Sequence, residues 1–404
     1  AMTPNPQIST APQARLRQSW WVAAILFGLT LGLGYLGLPD AWHRQGLALR
    51  WALLAGGLLG YLLASFRSGL ADNHRPGETV LLPTLGPGNW LTLLRGLAIS
   101  LLAGFLFLPR PVGGLLAWTP AILYTVVSIL DYLDGYVARR TNHVTRLGQK
   151  LDAICDALGV LVAVALAVWY GQLPPIFLLA GLAAYLFNWA RRRRQRQGLP
   201  LYDLPPSRNR RVLAGFQMGF FSVMLWPLFS PPGTALAGLF FVGPVLAGFC
   251  RDWLVVSGRL DPTGPRYLTL MARLYRLLEM WLLPLLRVGL VFLSVLILLP
   301  AALDDERRQA WLRWPGGPPW SAELVALLAL AASFLLVLGI LARLASLGLL
   351  VPTAMVIVTA GLSWGSGLLL AGSILVMLLG GGSLALWRPD DIFVTRRAGE
   401  RRAP

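Results

Sequence analysis

Apolar residues along this chain come in long blocks. They fall near residues 20–38, 48–66, 90–108, 113–137, 150–170, 174–190, 212–229, 234–250, 281–300, 322–341, 345–361 and 365–386. Turn formers or arginines separate one block from the next. Within a block the apolar character runs round every face, without the two-residue alternation of a half-buried strand, so each predicts a helix surrounded by apolar material. Crossing a bilayer takes about 20 such residues. The pattern therefore predicts an all-α polytopic membrane protein with twelve candidate spans. The shorter blocks, such as 174–190, stand at the lower limit of a span.

Composition sharpens this picture. Of 404 residues, 56% are hydrophobic and only 13% charged, whereas soluble domains average about a quarter charged. The formal net charge of +17 would by itself suit a nucleic-acid binder, but its placement argues otherwise. Arginines crowd the ends of apolar runs, as the positive-inside rule and contact with anionic lipid require. With the N-terminus inside, segments 67–89, 138–150, 191–211, 251–280, 342–344 and 387–404 are inside too. Residues 191–211 carry Arg191, Arg192, Arg193, Arg194, Arg196, Arg208, Arg210 and Arg211 against one acid, Asp203. The opposite loops hold few arginines, and the longest sets Asp304, Asp305 and Glu306 beside Arg307 and Arg308. The expected location is the inner (cytoplasmic) membrane, with bilayer lipids as partners and no nucleic acid.

The two cysteines, Cys155 and Cys250, make neither a disulfide framework nor a zinc site and read as small membrane residues. The first apolar run follows Arg15 and Arg17 and is long enough to span, with no small-residue cleavage pattern after it, so it is expected to be a span rather than a leader. Glu279 and Arg287, near the start of the ninth apolar run, read as interfacial snorkelling side chains rather than a buried pair.

One stretch breaks the apolar pattern in a way that bulk hydropathy does not explain. "DYLDGYVARRTNHVTRLGQKLDAICD" places Asp131, Asp134, Asp152 and Asp156 at the junction of two spans. On a helix Asp131 and Asp134 share a face, as do Asp152 and Asp156. A short loop makes the two spans antiparallel neighbours, so four carboxylates converge at one depth near the inside interface. Ionised and unpaired they would repel, each at a cost of several kcal/mol. Divalent cations resolve the conflict, because hard oxygen ligands from facing helices suit Mg²⁺ or Mn²⁺ and four can hold two ions. The bland alternative is a solvated cluster paired with Arg139, Arg140 and Arg146, which accounts for one or two aspartates but not four.

Written out, the stretch is D-x2-D-G-x2-A-R-x8-G-x3-D-x3-D, filled by Asp131, Asp134, Gly135, Ala138, Arg139, Gly148, Asp152 and Asp156. At every fixed position it resembles the signature of the CDP-alcohol phosphotransferases. The resemblance extends upstream to "GNWLTLLRG", with Asn89, Thr92 and Arg95, and covers about residues 89–260. It implies a six-helix core over 89–260, the block that hydropathy already sets between a two-span extension at 1–88 and a four-span extension at 261–404. The last block, through "LLRVGLVFL", "LLVLGILARLASLGLL" and "LLGGGSLALWRPDD", is similar to DoxX-like membrane proteins.

For the chemistry, the resemblance implies a Mg²⁺- or Mn²⁺-dependent transferase of phospholipid synthesis. Such an enzyme displaces CMP from a CDP-linked alcohol with the hydroxyl of a second alcohol. By motif position Asp131, Asp134, Asp152 and Asp156 would ligate two ions, with Asp156 also the general base and Asp131 close to the nucleotide. Gly135, Ala138 and Gly148 would let the CDP moiety approach, beside Arg139, with Asn89 and Thr92 lining its pocket. CDP-diacylglycerol with a polar acceptor is the first expectation for the substrates; a CDP-linked head group passed to a lipid alcohol is the alternative. Relatives of this kind also imply a homodimer. Ala157 stands where one common subgroup has lysine, which leaves the subgroup open.

Two readings from other classes compete. A cation transporter would place its acids at the bilayer midplane within inverted repeats, and neither feature is evident. A silent membrane scaffold would have no physical reason to keep four costly carboxylates.

Overall fold

The computed structural model describes residues 10–42, 45–205, 208–303 and 321–397. The described residues are largely helical, with no strand among them beyond an isolated bridge between Ile340 and Trp387. In chain order the helices begin with α1 (Thr10–Trp42), α2 (Gln45–Ser68), α3 (Pro87–Ala103), α4 (Gly114–Arg140) and α5 (Arg146–Trp169). Next come α6 (Leu178–Arg196), α7 (Arg208–Met224), α8 (Gly233–Val256), α9 (Pro265–Leu277) and α10 (Leu283–Leu303). The last four are α11 (Ser321–Leu338), α12 (Ala342–Ala360), α13 (Trp364–Leu379) and α14 (Pro389–Arg397).

Each of the twelve apolar runs lies mainly on one of these helices. Among the described residues, seven helical stretches are long and apolar enough to cross a membrane: α1, α2, α4, α5, α8, α9 continuing through α10, and α12. α11 and α13 are apolar but shorter. The chain is thus an all-α polytopic membrane protein. Its outward faces agree: Leu29 and Leu33 of α1 are 60% and 71% exposed, which water would penalise and lipid does not.

The helices group into two compact units, one of residues 1–184 and 221–227, the other of 185–220 and 228–404. In the first, α3 is the hub. Its Leu93 and Leu97 pack with Ala23 and Phe27 of α1, Leu59 and Phe66 of α2, and Leu147 and Leu151 of α5. The helix opens at Pro87, where the missing N–H of proline costs nothing. It closes tightly on α4 at Gly88, where a Cβ would lie 2.7 Å from that of Ala138. The polar Gly/Pro-rich connector before α3 is a strap rather than a slack link. Buried Asn73 donates from Nδ2 to the carbonyls of Leu82 (3.0 Å) and Thr84 (2.8 Å). Arg146 N donates to the His74 carbonyl at 2.9 Å, and Lys150 pairs with Asp72 at 2.6 Å. The strap is thereby tied to the start of α5.

In the second unit, α10, α11, α12 and α13 share a core that includes Leu290, Leu336, Leu349 and Leu369. Arg287 is buried and neither snorkels nor pairs with Glu279. Its guanidinium donates to the carbonyls of Leu336 (2.9 Å), Val337 (2.9 Å) and Gly381 (2.8 Å). These include carbonyls at the C-terminal end of α11, which lack intrahelical partners and attract positive charge. The guanidinium lies over Gly339 (φ +64°), where a Cβ would come within 2.5 Å of Nη2. Glu279 pairs with Arg388 instead, at 3.3 Å. Hydropathy could not show this, because the acceptors are backbone groups from distant segments. The tail helix α14 is docked by Asp390, which accepts from the Arg343 N–H at 2.8 Å, and by Asp391, 2.6 Å from Arg343 Nε.

Candidate active site

The aspartate stretch folds as a helical hairpin. α4 ends at Arg140, and Asn142 takes a left-handed conformation (φ 49°) that reverses the chain; Asn tolerates this better than most residues. Thr145 then caps α5, its Oγ1 accepting from the Gly148 N–H at 3.0 Å, which satisfies one of the free amides of the first turn. The last turns of α4 therefore face the first turns of α5, as the spacing predicts.

The carboxylates converge. One oxygen each from Asp131, Asp152 and Asp156 lies within 4.8 Å of the others. Oxygen ligands bind divalent ions at about 2.0–2.6 Å, so two oxygens on one ion stand up to about 4–5 Å apart, and the three residues fit one. All three remain partly open, their side chains 31%, 48% and 55% exposed in that order. Asp134 lies deeper. Its side chain is 6% exposed, accepts from Thr92 Oγ1 at 2.9 Å, and stands outside the group of three.

Sequence reasoning gave no role to the residue that binds these acids together. Arg95 of α3 is 1% exposed, and its guanidinium touches all four aspartates. Nη1 contacts Asp131 and lies 3.4 Å from Asp134; Nη2 reaches Asp152 at 3.0 Å and Asp156 at 2.8 Å. Arg139, Arg140 and Arg146 form no pair with them among the described contacts. The signal was present: an arginine within an apolar helix needs a partner, and Arg95 follows Thr92 by one turn. One guanidinium against four carboxylates still leaves an excess of negative charge, which is the condition a divalent cation relieves.

The small residues of the motif divide into two kinds. A Cβ on Gly148 would lie 2.2 Å from Asn89 Oδ1, so Asn89 fills the room Gly148 leaves. Ala138 is small because Gly88 packs on it. Gly135 differs, since a Cβ there would meet only the movable Arg139 guanidinium, at 3.1 Å from Nη1. Asn89 is itself buried and donates to the Leu85 carbonyl (2.7 Å) and to Thr145 Oγ1 (3.0 Å). Asn89 and Thr92 thus point into the protein, at the α5 cap and at Asp134. Gly135 and exposed Arg139 keep an open face beside Asp131.

Comparison with known proteins gives both curated relatives and a family model. Over 107 residues the chain is 34% identical to a CDP-diacylglycerol–glycerol-3-phosphate 3-phosphatidyltransferase of Salmonella choleraesuis (strain SC-B67), covering 24% of this chain and 53% of that protein. Proteins of the same description from Escherichia coli (strain K12) and Rickettsia bellii (strain RML369-C) are each 32% identical over 107 residues, or 24% of this chain. The match covers 53% and 58% of their respective lengths. The chain thus spans about half the length of the curated relatives it matches. No solved structure matches it. Residues 87–250, which hold Asn89, Thr92, Arg95 and all four aspartates, match the model of the CDP-alcohol phosphatidyltransferase family.

Proposed function

We propose that this protein transfers a phosphatidyl group from CDP-diacylglycerol to the hydroxyl of a small polar alcohol, with release of CMP, in phospholipid synthesis. The observation that carries the reading is the cluster of Asp131, Asp152 and Asp156 at the mouth of the α4–α5 hairpin, within a stretch that matches the family. Glycerol 3-phosphate is the first acceptor to test, since it is named in the relatives' description.

In this reading Asp131, Asp152 and Asp156 hold divalent metal, Mg²⁺ or Mn²⁺. Asp134 completes the ligand set for two ions from its place behind the others. When bound, the metal neutralises charge on the diphosphate and the departing CMP. The chain does the rest. Asp156, the most open of the four, takes the proton from the acceptor hydroxyl. The freed oxygen forms a bond to the lipid-linked phosphorus as the pyrophosphate P–O bond to CMP breaks. Arg95 fixes the four carboxylates at one level while this happens. The open face of Gly135 and Arg139 beside Asp131 receives the CDP moiety. Ala138, Gly148, Asn89 and Thr92 shape that face from behind by holding α3, α4 and α5 together.

The domain reading belongs to the same proposal: a catalytic core at 89–260, between an N-terminal extension at 1–88 and a C-terminal, DoxX-like one at 261–404. So do the inner-membrane location, the homodimer and a site facing the cytoplasm; arginine placement supports that orientation, because the α4–α5 turn lies on the arginine-rich side. The test is magnesium-dependent CMP release by the purified protein with CDP-diacylglycerol and glycerol 3-phosphate, inositol phosphate, serine or myo-inositol. CDP-choline and CDP-ethanolamine with diacylglycerol form the second arm. The expected result is release with one acceptor of the first arm, falling at least ~10²-fold in Asp156→Asn. Release only in the second arm, or release unchanged in Asp156→Asn, overturns the reading.

A further inference from the structure

α9 is unlike the other described helices. In "PRYLTLMARLYRL" a helical period puts Arg266, Thr269, Arg273 and Arg276 on one side. Tyr267, Leu270, Met271, Leu274 and Leu277 take the other. No residue of α9 is buried, and Leu270 and Leu277 are 53% and 58% exposed. Arg266, Arg273 and Arg276 pair with no carboxylate among the described residues. A helix with this division and no buried residue cannot rest in water, where its leucines are exposed, nor in hydrocarbon, where its arginines are.

Its ends fix where it lies. At one end Tyr267 Oη accepts from Arg251 Nε at 2.8 Å, in the last turns of the span α8. At the other, α9 runs through a single π-helical turn (Leu278–Leu282) into α10. There the Glu279 carbonyl accepts from Ser383 N at 2.9 Å, just beyond the end of α13. α9 thus reaches from the C-terminal end of α8 to the C-terminal end of α13. Length agrees. The continuous stretch Pro265–Pro300 has 36 residues, about 54 Å of helix against a hydrocarbon core of about 30 Å. α10 alone fills that core, leaving α9 outside it. On the same face Arg194 of α6 reaches the Ser257 carbonyl at the end of α8 (3.0 Å), with Arg191, Arg192 and Arg193 exposed beside it.

We propose that α9 is an in-plane helix that binds the headgroups of anionic lipids, its Leu270–Leu274–Leu277 face sunk among the acyl chains and Arg266, Arg273 and Arg276 meeting lipid phosphates and carboxylates. The charge is complementary, the apolar residues share one face, and both ends are anchored at the ends of apolar helices. This surface is independent of the reaction proposed above.

The test uses the full chain in nanodiscs. A fluorophore is placed on Leu274→Cys in a Cys250→Ser background, Cys155 being buried. Quenching is compared between trace brominated phosphatidylserine and trace brominated phosphatidylcholine, with iodide as the aqueous quencher. The expected result is quenching by lipid rather than iodide, with phosphatidylserine the stronger. Replacing Arg266, Arg273 and Arg276 by glutamine should reduce that preference by roughly five-fold per arginine. The proposal is overturned by equal quenching from the two lipids. It is equally overturned by quenching from iodide alone, which would place α9 in water, free for a soluble partner. Because neither readout involves turnover, a failed CMP assay leaves this result intact.

Discussion

Arg95→Met exchanges the cation at the centre of the site for an apolar side chain of comparable length. In the parent, one guanidinium at 1% exposure serves four carboxylates. Breaking a fully buried charge pair by removing one partner costs about 3–5 kcal/mol. Here only Asp134 is buried to that degree; the other three are a third to a half open, so water and salt screen much of their repulsion. In the absence of metal the expected net loss is ~2–3 kcal/mol. The same removal frees carboxylate oxygens for metal. A divalent ion that binds only the folded protein at about a hundred times its dissociation constant returns ~2.7 kcal/mol. Thermal unfolding in detergent, followed by intrinsic fluorescence, should therefore show two things. With chelator present the variant melts below the parent, and added magnesium raises its melting temperature by more than it raises the parent's. A variant as stable as the parent in chelator, with an equal magnesium shift, would refute the view that Arg95 and metal share these carboxylates.

Other consequences follow from single contacts. Gly88→Leu drives a side chain into Ala138 and the Asp134 carbonyl and should destabilise by ~1–3 kcal/mol, with CMP release falling in proportion to the folded fraction at the assay temperature. Arg287→Met leaves three carbonyls without their donor and should cost ~2–4 kcal/mol, seen as early unfolding of the second unit by limited proteolysis near Gly339. Asp261, ahead of α9, accepts from Thr263 N (2.8 Å) and Thr263 Oγ1 (2.7 Å), which hold its carboxyl below the usual carboxylate range. Since the folded value is depressed, the turn is fully supported above the unfolded carboxylate pKa and loosens as pH falls through the folded one. Amide exchange at Thr263, corrected for intrinsic rate, should lose protection over that acid window, and Asp261→Asn should remove the pH dependence.

Much of this protein was legible in its residues. Apolar blocks place the helices because, inside a bilayer, a single segment satisfies its own backbone hydrogen bonds only as a helix. The spacing of Asp131, Asp134, Asp152 and Asp156 brings them together because 3.6-residue periodicity and a short reversing turn leave little choice. What only the tertiary structure decided is who answers those charges. Asn89 and Thr92 turn inward, to the α5 cap and to Asp134. Gly148 yields its space to Asn89, so that Gly135 is the open glycine. Arg95 and Arg287 find partners 36 to 94 residues away, and Arg287's are carbonyls that every residue carries and no sequence pattern marks. Local periodicity is written in the order of side chains; a buried cation's partners are set by which helices pack, and only the folded chain determines that.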